Sequence, residues 1–110
     1  MSSPDELVLI FASAPDEDEA SEICGRLLMS NTVAIAYYWP MTSLIKWGLE
    51  THSEDEVGMI LFTRSSLVDR VIEKAKAMYS KGTPTILVLD IKGGNLPILQ
   101  YISGHTAHPE

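Results

Sequence analysis

Six consecutive residues, Leu7-Val8-Leu9-Ile10-Phe11-Ala12, carry no polar side chain. That length is too short to cross a bilayer or to form a signal core, and it suits a β-strand. A strand with no polar position must be covered on both faces, which rules out a sheet that leaves one side to water. Any fold for this chain therefore has to supply helices for one face and something else for the other.

The helices are legible in the spacing that follows. Ser13-Ala14-Pro15 and Asp16-Glu17-Asp18-Glu19 place a proline and carboxylates where a helix N-terminus favours them. Ala20, Ile23, Cys24, Leu27 and Leu28 recur at helical spacing, and Ser30-Asn31 ends the stripe. A second helix is predicted after Ser65 or Ser66, either of which could cap it, with Leu67, Val68, Val71, Ile72, Ala75 and Met78-Tyr79 facing inward. Ser80-Lys81-Gly82-Thr83-Pro84 breaks it.

Three further strands are predicted. Thr32 to Ile45 is β-branched, aromatic or small, and Pro40 within it marks an edge position or a bulge at Trp39-Pro40. Gly48 to Asp55 reads as a polar connection and Glu56 to Thr63 as the next strand. Thr85 to Ile91 is the last, before the turn Lys92-Gly93-Gly94-Asn95 and a short amphipathic piece from Leu96 to Ile102. The tail Ser103 to Glu110 is expected to fray.

The order β-α-β-β-α-β defines an α+β, ferredoxin-like sandwich: a four-stranded antiparallel sheet with both helices on one face. Length allows one such domain, residues 1–110, with an ordered core of about 7–102. Leu9 and Phe11, Val33 and Ile35, Met59 and Leu61, and Ile86 and Val88 are expected to line the opposite, open face. An apolar face of that size calls for self-assembly.

Charge narrows the partners. Fifteen acidic against eight basic residues give −7, which repels phosphate backbones and anionic lipid, so neither nucleic acid nor a membrane is an expected partner. The single cysteine, Cys24, precludes an internal disulfide and a cysteine-rich zinc site. Met1-Ser2-Ser3-Pro4-Asp5-Glu6 has no basic, signal-like character, and the cytosol is the expected compartment.

One pattern is more specific. Thr42-Ser43-Leu44-Ile45-Lys46-Trp47, then Asp55-Glu56-Val57, Thr63-Arg64, Pro84 ahead of the last strand, and Gly94-Asn95 together resemble the CutA family, named for divalent-cation tolerance. The resemblance runs from about Leu7 to Ile102 and implies a homotrimer of ferredoxin-like subunits with sheets turned inward, linked to copper and other divalent ions. Two family features are absent. The usual second-strand cysteine falls on Ala34, and the usual His-Pro-Tyr-Glu run is replaced by Tyr79-Ser80-Lys81-Gly82. Soft and borderline metals need thiolate or imidazole donors, so the resemblance comes without its usual ligands.

The remaining candidates are few. Lys46 and Trp47 at a strand end, with Tyr79 and Arg64, are the candidates for a cleft between subunits holding a small ligand or a metal ion. His52, Glu54, Asp55 and Glu56, near Glu50, could attract a divalent cation weakly, and no other cofactor is implied. His105 and His108 offer a second weak donor pair in the tail. Tyr37, Trp39 and Trp47 read as interface aromatics, and Cys24 as an inert core residue. No nucleophile–histidine spacing and no phosphate loop is present, so catalysis is not expected. A small-ligand or nucleotide-sensing trimer of similar subunit fold is the alternative, and a structural trimer with decayed binding a third.

Overall fold

The computed structural model describes residues 6–107. Its elements are β1 (Leu7–Ala14), α1 (Glu17–Met29), β2 (Ile35–Trp47), β3 (Glu50–Arg64), α2 (Val68–Met78), β4 (Ile86–Asp90) and α3 (Leu96–Gly104). The sheet order is β2-β3-β1-β4 with every neighbouring pair antiparallel, the α+β arrangement the element order predicts. No helix among the described residues is long and apolar enough to cross a membrane.

Local chemistry sets the helix ends. Asp16 caps α1 by accepting from the Glu19 amide at 2.8 Å, and Glu17, Asp18 and Glu19 occupy its first turn. At the other end Thr32 returns its hydroxyl to the Leu27 carbonyl, and Asn31 takes φ 60° to turn the chain toward β2. Neither serine caps α2. Ser65–Leu67 form a single 3-10 turn ahead of the helix, and no side chain caps its first residues. Ser66 Oγ is buried with no hydrogen-bond partner.

The core lies between the helices and one sheet face. Ile10, Ala12 and Ala14 of β1 and Val57, Met59 and Leu61 of β3 pack against Ile23, Cys24 and Leu27 of α1 and Val71 and Ala75 of α2. Met59 and Leu61 thus belong to the helix side. Ile86 and Val88 share it, being paired with Ala12 and Ile10, and Val33 is buried before β2 begins. The open face instead carries Leu9, Phe11, Ile35, Ile60, Phe62, Leu87 and Leu89, because pairing puts Phe62 opposite Leu9 and Ile60 opposite Phe11. The phase of β3 and β4 is one residue off the expected one; the apolar character of the open face is unchanged.

The largest departure is the hairpin. Residues expected to form a polar connection are strand: β2 and β3 stay paired out to Trp47 and Glu50, joined only by Gly48-Leu49. Gly48 sits at φ 64°, supplying the positive φ that two-residue hairpin turns require. Since β1 ends opposite Val57, the seven pairs from Met41–Glu56 to Trp47–Glu50 have no third strand beside them. They form an arm about 23 Å long. Pro40 lies in the edge strand in unbroken register with Val57, so it marks an edge and no bulge.

The C-terminal segment is also ordered further than expected. Thr106 is buried, and the Ala107 amide donates to the Asn31 carbonyl at 2.7 Å. His108 lies outside the described residues.

Candidate functional site

Strand alternation sorts the candidate residues onto two faces of the arm. Met41, Ser43, Ile45 and Trp47 share the open face with Glu56, Glu54, His52 and Glu50, while Thr42, Leu44 and Lys46 share the other with Asp55, Ser53 and Thr51. Hydrogen bonds agree with this sorting. Ser43 Oγ donates to a Glu56 carboxylate oxygen at 2.5 Å on one face, and Thr42 Oγ1 to Asp55 Oδ1 at 3.3 Å on the other. Lys46 and Trp47 therefore point away from each other and cannot line one cleft within a single chain. Asp55 is likewise separated from Glu54 and Glu56.

Where the arm leaves the sheet, its open face meets the end of β1 and the α2–β4 connection. A cavity of about 520 Å³ lies there, with Ser13, Tyr79 and Lys81 facing Glu54, Glu56 and Ile45. Tyr79, the residue that ends α2, shares a hydrogen bond with Ser13. Burial pushes its phenol pKa up, the neighbouring charges of Glu56, Glu19 and Glu54 push it further, and the Ser13 bond opposes them. Glu19 also accepts from the Ser80 amide at 3.2 Å, tying the connection to α1.

A smaller hollow of about 280 Å³ continues along the same face toward the tip, lined by Ile45, Trp47, His52 and Glu54. Trp47 is 73% exposed there. His52 Nε2 lies 3.5 Å from a Glu50 carboxylate oxygen, both side chains in solvent. Tyr79 and Trp47 thus open onto one continuous surface with Glu54 and His52.

Arg64 does not join them. It is 1% exposed, its Nε donates to Thr106 Oγ1 at 2.9 Å, and Nη2 donates to the Ser103 carbonyl. This guanidinium holds the end of α3 against β3. Cys24 is buried in the α1 core with its thiol pushed up to about 11 by desolvation. His105 stacks on Tyr101 at 3.9 Å between ring centroids, away from the arm.

Ser13 and Lys81 line the larger cavity without having been among the residues put forward for it from the sequence. The available signal was Ser13 itself, a hydroxyl closing an apolar strand just before a helix start.

Whether the arm fits a divalent ion can be judged from its donors. Among the described residues no group of three or more His, Cys, Asp or Glu side chains comes together within the chain. The carboxylates are strung along a strand, with the Cα atoms of same-face neighbours about 7 Å apart, so the arm presents no ready-made cage for an ion.

The match to known proteins extends over nearly all of these elements. Residues 8–105 match the family model described as CutA1 divalent ion tolerance protein. The divalent-cation tolerance protein CutA of Archaeoglobus fulgidus is 33% identical over 93 residues, 84% of this chain and 91% of that one. The rice protein CutA 1, chloroplastic, is 26% identical over 90% of this chain, which spans 56% of the rice protein's length. Among solved structures, the divalent ion tolerance protein CutA1 from Ehrlichia chaffeensis superposes with a TM-score of 0.85 at 28% identity, covering 96% of this chain and all of that one. The periplasmic divalent cation tolerance protein CutA from A. fulgidus superposes with a TM-score of 0.84 over 90% of this chain and 97% of that one. The family match across residues 8–105, with a relative 33% identical over 84% of this chain, makes this chain a member of the CutA1 divalent ion tolerance family.

Proposed function

We propose that the chain acts as a non-enzymatic homotrimer in divalent-ion tolerance, with the arm's open face lining clefts between subunits. One observation carries this reading: the sheet face away from the helices is apolar and uncovered. Leu87 and Tyr37 are 57% and 53% exposed there, and Leu89 and Trp39 add to the same surface. An apolar sheet face of this extent is stable in water only when covered, and copies of the chain present the matching surface. In this reading Tyr37, Trp39 and Trp47 are interface residues. The cysteine and histidine that the family resemblance associates with soft metals have been replaced at Ala34 and Tyr79. Any divalent ion is then held weakly, by carboxylates such as Glu54 and Glu56 with His52 as the nearby nitrogen. The compartment we assign is the cytosol, which fractionation of source cells would check.

Sedimentation at micromolar concentration tests the assembly. Three times the chain mass is expected, and a stable monomer or dimer overturns the proposal. A second reading, a trimer that senses a small ligand, draws support from the cavity beside Tyr79. Its volume falls within the range of small-molecule sites.

A further inference from the structure

We propose that the cavity between the arm and the α2–β4 connection binds an aliphatic polyamine, a chain carrying two or more ammonium groups. The inference deepens the ligand-sensing reading of that cavity and does not depend on the trimer.

The ligand chemistry follows from how the cavity is built. Glu54 and Glu56 project from the same face of β3, two residues and about 7 Å apart. Two carboxylates on one face of one cavity can each take an ammonium group, which a dication with a flexible aliphatic spacer offers and a single ammonium does not. Glu56 is held by Ser43 at 2.5 Å, so one of the two carboxylates is already positioned. Ile45, opposite His52 and next along the face beyond Glu54, supplies an apolar wall for methylenes. Across the cavity, Tyr79 offers an aromatic ring to a cation. Ser13, which is 4% exposed, lines the cavity beside it.

An anion is disfavoured because, among the described residues lining the cavity, Lys81 is the only cationic one, against Glu54, Asp55 and Glu56. A neutral ligand would leave these carboxylates unanswered. Lys81 itself competes with an incoming ammonium group, so its removal should tighten binding.

Isothermal titration of the full chain with 1,4-diaminobutane and with 1-aminobutane tests this at fixed ionic strength. Saturable binding of the diamine is expected, at least about tenfold tighter than the monoamine, since the second charge meets the second carboxylate. Glu56→Gln should weaken diamine binding by about tenfold or more, and Lys81→Ala should strengthen it several-fold. Glu73→Gln, the same charge change on the exposed side of α2, should leave it unchanged. Equal affinity for the two amines, or an equal loss with Glu73→Gln, would reduce the effect to general attraction by an acidic protein and overturn the proposal. Absence of diamine binding in the folded chain would overturn it too. Sedimentation of the same samples separates this from assembly: a trimer that ignores the diamine defeats only the ligand, and a monomer that binds it defeats only the trimer.

Discussion

The indole of Trp39 lies over Gly58, its cross-strand partner, so closely that a Cβ on Gly58 would fall 2.5 Å from Trp39 Cζ2 and 2.7 Å from Cε2. Glycine in the interior of a strand usually weakens it, and here it makes room for an aromatic ring beside Phe11, 6.3 Å away between centroids. Gly58→Ala should therefore push Trp39 off the sheet and destabilise the fold by about 1–3 kcal/mol. Tryptophan fluorescence in a Trp47→Phe background, read alongside the melting curve, checks both effects. An unchanged emission maximum would mean that the ring accommodates the methyl group.

Folding and assembly should be one event if the open face is an interface. The melting temperature is then expected to rise with protein concentration, and Trp39→Ala should lower it by an amount corresponding to about 2 kcal/mol or more. A melting temperature constant across two decades of concentration would argue against an obligate assembly.

Arg64 makes its own prediction. Thr106 Oγ1 accepts from the guanidinium and donates to the Ile102 carbonyl, so Thr106→Val removes an acceptor from a buried cation. The expected loss is about 1–3 kcal/mol by urea denaturation, with faster amide exchange in α3. An unchanged midpoint would show that the other contacts of Arg64 suffice.

Cys24 should be inert and pH-linked. In the folded chain its pKa is raised to about 11, above the 9.0 of a free thiol. The unfolded thiol therefore loses its proton first, and stability falls as pH rises from 9 toward 11, by about 2–3 kcal/mol in total. Cys24→Ala should flatten that part of the stability profile. Reaction of native Cys24 with a thiol reagent at pH 8 should be far slower than in denaturant. Rapid labelling of the native protein would contradict its burial.

Copper is expected to bind weakly. With Cys24 sealed in the core, the imidazoles left to hold copper are His52, His105 and His108. Replacing all three with alanine should leave no copper site tighter than roughly 10 μM, about −6.8 kcal/mol. Substitution is a better test than truncation, because Thr106 helps hold α3. A tight site surviving the triple change would show that other donors are presented.

The elements that bury a face were the ones that could be read from sequence. The stripe from Ala20 to Leu28 and the apolar run of β1 identified their structures because packing dictates their residues. The phase of β3 was hidden for the same reason: Val57, Met59, Ile60, Leu61 and Phe62 are all apolar, so alternation carries no information about which side faces the helices. The arm failed differently. From Glu50 to Asp55 both faces are exposed, and a strand with no buried side has no pattern to betray it. Reading those residues as a loop also set Lys46 beside Trp47, where a strand sends neighbours to opposite faces. The pairing of Arg64 with Thr106 joins residues 42 apart and left no local trace.

Pro40 also bears on how growth at the sheet edge is limited. β2 presents thirteen residues along the outside of the sheet, and a continuous edge of that length is a template onto which further strands can add without end. The proline interrupts the row of donors, leaving Ile35–Trp39 on one side and Met41–Trp47 on the other. Each remaining stretch is close to ordinary strand length, so pairing at this edge is confined to short, local segments. An edge divided in this way favours closed assemblies over filaments.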